Sequence, residues 1–79
     1  MPCDHQQVLA LAQANQWEAA HAMVQKHSDA LSCQIHGYLH RVEGDLGNAS
    51  YWYRRGNSPL PENTLEEEWV RLQRLLHGA

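Results

Sequence analysis

The sequence predicts an all-α chain, and three observations carry the prediction. Ala, Leu, Gln, Glu and Arg are plentiful, whereas β-branched residues are few: four Val, one Ile and one Thr. Apolar residues recur at spacings of three and four, which places them on one face of a helix. Residues that start or stop helices stand at the edges of each apolar stretch. Together they divide the chain into five helices, at about residues 4–14, 17–27, 30–43, 46–55 and 64–77.

The first helix opens at Asp4, whose carboxylate can accept the free amides of the first turn. Val8, Leu11 and Ala12 form its stripe, and Asn15-Gln16 breaks it. The second helix carries Trp17, Ala20, Met23, Val24 and His27 at helical spacing. Ser28-Asp29 ends it, and either residue can cap the third. That helix presents Leu31, Ile35, Leu39 and Val42, and Gly44 stops it. Asp45 caps the fourth, which draws buried residues from Leu46, Ala49, Trp52 and Tyr53. Gly56 to Pro61 is the clearest loop, because two prolines separated by one residue cannot continue a helix. In the fifth helix Thr64 and Glu67 form a capping box. Glu66, Glu67 and Glu68 precede Arg71 and Arg74, an order that complements the helix dipole. Leu65, Trp69, Leu72 and Leu76 make its stripe.

Seventy-nine residues make one small domain, residues 1–79, and leave no room for a separate cofactor domain. A chain this short buries only about 60–65% of its unfolded surface, so little stability is in reserve. Six Lys+Arg stand against nine Asp+Glu, for a net charge of −3, which argues against a nucleic-acid binder. No apolar run is long enough to cross a membrane. Cys3 and Cys33 match neither a disulfide framework nor a zinc spacing. The start of the sequence has no basic leader followed by an apolar stretch, so the expected compartment is the cytoplasm. No cofactor motif and no nucleophile motif is present, and the expectation is that the chain is not an enzyme.

Two helix pairs look alike. Asn15-Gln16-Trp17-Glu18-Ala19-Ala20 precedes one second helix, and Gly44-Asp45-Leu46-Gly47-Asn48-Ala49 precedes the other. In each, a polar turn leads to a large apolar residue and then, three positions on, to an alanine that lets two helices approach. On these residues the stretch from Ala30 to Pro61 resembles the tetratricopeptide repeat family, with the end of a Sel1-type repeat visible in Trp52 to Gly56. Gly37, Ala49, Tyr53, Gly56 and Pro61 match the family's small, aromatic and closing positions. Cys33, His36 and His40 stand where it usually carries tryptophan, leucine and tyrosine. The resemblance implies a small right-handed array of helical hairpins that binds a protein or peptide in its concave face without catalysis. It implies that Gln34, Tyr38 and Arg41 project toward that face. Two hairpins are fewer than such arrays need, which predicts a terminal helix covering the exposed end and a homodimer or tight partner complex.

Two further patterns suggest chemistry. Tyr51-Trp52-Tyr53-Arg54-Arg55 interleaves aromatics with cations; on a helix Tyr53 and Trp52 turn inward and Tyr51, Arg54 and Arg55 stay outside as a partner-binding patch. His36 and His40 lie one turn apart with Glu43 three residues on. That is a spacing at which imidazoles share a zinc or nickel ion, and it makes a small metal-binding protein the alternative reading.

Overall fold

The computed structural model describes residues 2–78. Five helices follow in order: α1 (His5–Gln13), α2 (Trp17–Val24), α3 (Ala30–Val42), α4 (Leu46–Arg55) and α5 (Leu65–Leu76). Among the described residues there is no strand, and no helix is long and apolar enough to cross a membrane. Four of the five helices start at a side chain that accepts an otherwise free first-turn amide. Asp4 accepts from Gln7, Asp29 from Ser32, Asp45 from Asn48 and Thr64 from Glu67. At α5 the Glu67 carboxylate also accepts from the Thr64 amide at 2.9 Å, which completes the capping box.

The two hairpins share a turn. Asn15 (φ 60°) and Gly44 (φ 85°) take left-handed backbone at equivalent places. The following amides reach back to helix carbonyls, Gln16 to Leu11 and Asp45 to His40, both at 2.9 Å. Ala20 and Ala49 then lie fully buried, 29 residues apart. The helix α2 ends at Val24, three residues before the expected His27, in a turn where the His27 amide bonds the Val24 carbonyl.

The core gathers Val8 and Leu9 from α1, Ala20 and Val24 from α2, Ile35 and Leu39 from α3, Ala49 and Tyr53 from α4, and Leu72 from α5, all without exposed surface. The helix α3 is its axis, packed against each of the other four. Gly37 lets α4 come close. A Cβ there would stand 2.6 Å from the Tyr53 ring. Two residues of the expected stripes, Val42 and Leu46, are instead exposed, because they flank the α3–α4 turn beyond the reach of other helices.

The helix α5 departs from expectation most. The sequence predicts a terminal helix covering an exposed end; the helix packs on α1 and α3. Trp69 donates its indole N–H to the Leu9 carbonyl at 3.1 Å, and Leu72 enters the core. Glu68, expected as one of three solvated dipole partners, is fully buried. Its Oε1 accepts from Arg71 Nε at 2.7 Å and from Asn63 Nδ2 at 3.0 Å; its Oε2 accepts from Tyr53 Oη at 2.7 Å and from an Arg71 amino group at 2.8 Å. Burial pushes the Glu68 carboxyl upward, and the bonds from Arg71, Asn63 and Tyr53 outweigh it and hold the group below its ordinary range.

Glu68→Gln should therefore cost about 2–3 kcal/mol in urea unfolding, since Arg71 and Tyr53 lose a charged acceptor in a buried setting. In the parent chain Glu68 contributes its full stabilisation above the ordinary carboxyl value of 4.5 and loses it as pH falls through the lower folded value. Urea midpoints of the two proteins should converge over that window. Gly37→Ala should cost about 1–3 kcal/mol by the same assay, because the Tyr53 ring must shift.

Candidate functional site

Three imidazoles meet where α2 crosses α3. His21 sits on the face of α2 that turns toward α3, one turn after Trp17, and the two rings stack at 4.7 Å with 9° between planes. His36 and His40 rise from consecutive turns of α3 with ring centres 5.0 Å apart. The His21 and His36 Nε2 atoms lie 3.0 Å apart, and one ring nitrogen of each histidine falls within 4.8 Å of one from each of the others. His36 and His40 are 3% and 8% exposed, and His21 is half-buried at the rim. Aromatic walls close the sides. Trp52 of α4 stacks on His36 at 3.9 Å, and Trp17 meets His40 edge-on at 6.0 Å. The indole N–H of Trp17 is tied to the Leu39 carbonyl at 2.6 Å, which anchors that wall to α3.

The electrostatics favour neutral rings. Burial first, then the neighbouring His21 and His40 and the Arg55 guanidinium, push His36 down to about 4. Burial and His40 also lower His21. One nitrogen, His36 Nδ1, is buried with no hydrogen-bond partner.

Of the residues read as metal ligands, His36 and His40 do converge, and Glu43 takes another place. Its carboxylate holds His40 Nδ1 at 2.6 Å, on the side of the ring away from Nε2. Asp45 also stands near His40 and Glu43, and its two oxygens already bond the Asn48 amide and side chain. His21 was missing from the sequence reading. That reading considered spacing within one helix, and His21 joins from a different helix, 15 positions before His36. The stacked Trp17/His21 pair at one-turn spacing was the signal available.

The expected inner face is built differently from the peptide groove that was predicted. Tyr38 is only 7% exposed. The Gln34 amide donates to the Gly56 carbonyl at 2.9 Å and accepts from Arg71 at 2.8 Å. Arg41 donates to the Asn63 side chain at 2.9 Å and to the Asn63 carbonyl. Gln34 and Arg41 thus hold α5 and its leading loop in place, and Tyr38 is part of the core. The outer face of α4 is different: Gly47, Ser50, Tyr51, Arg54 and Arg55 line an open groove of about 590 Å³. Tyr51 is 53% exposed there, and the Arg55 guanidinium lies over the Tyr51 and Trp52 rings at 5.8 and 4.9 Å. Cys33 is buried, and its thiol donates to the Ser28 carbonyl at 3.6 Å. Burial pushes that thiol upward, away from the thiolate a nucleophile needs.

Compared with known proteins, the chain matches no family model, no curated protein and no solved structure.

A structural role for Arg41 predicts that Arg41→Ala lowers stability by about 1–2 kcal/mol in chemical denaturation, since Asn63 and the α5 lead lose their donors. Tyr51→Ala, on the open face, should move stability by no more than about 0.5 kcal/mol.

Proposed function

We propose that the chain is a non-catalytic protein-interaction module of tetratricopeptide-like type, working through the outer face of α4 rather than through a concave groove. The repeated turns at Asn15 and Gly44, with the paired alanines that follow them, support the repeat reading. The observation that carries the choice of surface is that the α4 backbone lies close to α3 alone among the helices, that Tyr53 makes its one hydrogen bond to α5, and that the other side of α4 is open. That side holds the residue types that dominate binding energy, a tyrosine and two arginines, beside Leu46 at 57% exposure. Neither Arg54 nor Arg55 has a carboxylate within ion-pair distance among the described residues, whereas Arg71 is spent on Glu68. The partner chemistry that fits is an acidic segment with an apolar anchor that lies over Tyr51 and Leu46. A second copy offers such a segment, since Glu66 and Glu67 flank the exposed Val70 on α5, which fits the expected homodimer.

A photo-reactive phenylalanine in place of Tyr51 should cross-link a partner, and Arg54→Gln with Arg55→Gln should abolish the product while far-UV circular dichroism shows the helices retained. If the partner is a second copy, sedimentation should show a dimer that the same pair of substitutions dissociates. Cross-linked products unchanged by that pair of substitutions would refute the assignment of this face.

A further inference from the structure

We propose that His21, His36 and His40 form a transition-metal site: three imidazole ligands, from α2 and α3, for zinc or a cation of similar preference, with a fourth position left to water or an outside ligand. The proposal is independent of the interaction reading.

The donor set comes first. Three neutral imidazoles suit zinc, cobalt, nickel and copper and disfavour magnesium and calcium, which prefer oxygen. Three protein nitrogens with an open fourth position is the pattern of reactive or exchangeable zinc sites, whereas closed structural sites carry four protein ligands.

Geometry comes second. Tetrahedral zinc with nitrogens at about 2.0–2.1 Å holds them roughly 3.3 Å apart. The His21 and His36 nitrogens stand at 3.0 Å, and the whole set lies within 4.8 Å. Small rotations of the side chains, with no movement of the helices, would close the site. His36 and His40 are placed by the one-turn spacing of α3, and His21 is held beside them by its stack on Trp17.

The surroundings come third. A ligating imidazole usually gives its other N–H to a carboxylate, which sets the tautomer and strengthens the ligand. Glu43 does this for His40: with Nδ1 held at 2.6 Å, Nε2 is the nitrogen left to ligate. The present hydrogen bonding does not satisfy the cluster. Two neutral Nε2 atoms in contact share a single proton, so only one of the two rings can donate. A metal accepts both lone pairs at once. The proton of the donating ring moves to that ring's own Nδ1, so binding to neutral rings needs no net proton release.

The test uses the untagged, chelator-treated full chain. Calorimetric titration with Zn²⁺ should give saturable one-to-one binding, and Co²⁺ should develop the intense visible bands of a four-coordinate site. His21→Gln, His36→Gln and His40→Gln should each weaken Zn²⁺ by about 100-fold or more. Glu43→Gln should weaken it by about 10–100-fold while leaving the stoichiometry at one. His5→Gln, His27→Gln and His77→Gln, outside the cluster, should bind as the parent does. Where a cluster variant fails to fold, long-range ¹H–¹⁵N spectra of the parent chain read the same answer. Zn²⁺ should shift the ring nitrogens of His21, His36 and His40 and leave those of the other three. No saturable binding of Zn²⁺, Co²⁺, Ni²⁺ or Cu²⁺, or full affinity in His21→Gln, would overturn the proposal.

Discussion

A single buried carboxylate organises this molecule. Glu68 brings no exposed surface and four donor contacts, from Arg71, Asn63 and Tyr53. Two of the contacts tie other elements to α5, Tyr53 from α4 and Asn63 from the loop, and Arg71, itself in α5, passes the connection on to Gln34 of α3. An ionised group in this setting is tolerated only when its oxygens are fully bonded, so the network has one satisfied arrangement and slipping α5 by a turn would break it. The position of α5 then decides what the rest of the surface can do. It covers α1 and α3, it turns Gln34, Tyr38 and Arg41 into structural residues, and it leaves α4 open along one side.

The histidine cluster stands apart from that network. The crossing of α2 and α3 places it beside α4, where Trp52 forms one wall and Trp17 another. Aromatic stacking limits how the rings can turn, and the Glu43 bond fixes one of them, so the cluster is preorganised by side chains rather than by loops. His36 and His40 are buried in the interior at the α2–α3 crossing, and each places an imidazole there. An imidazole in such a place spends buried volume on a group that needs partners. In a chain of this size, with little stability in reserve, that use of the interior is costly unless the histidines perform work.

Local features were legible before the fold. The starts of α1, α3, α4 and α5 followed from Asp4, Asp29, Asp45 and Thr64, because a cap acts within three residues of itself. The α3–α4 turn followed from Gly44 for the same reason. His36 and His40 followed from the pitch of one helix. What lay beyond reach was each contact made across helices: His21 with His36, Glu68 with Tyr53, and Arg41 with Asn63.

By itself, then, the sequence determined a five-helix chain with a repeated hairpin, and it identified two of the three clustered histidines. These are outcomes of short-range forces: capping, helix pitch and left-handed turn residues. Only the tertiary structure decided where α5 docks, which charged residues are buried and which face remains open. Those depend on side chains far apart in the chain satisfying one another's hydrogen bonds. Leu9 with Trp69, Tyr53 with Glu68 and Gln34 with Arg71 carry no mark of such pairing in the linear pattern.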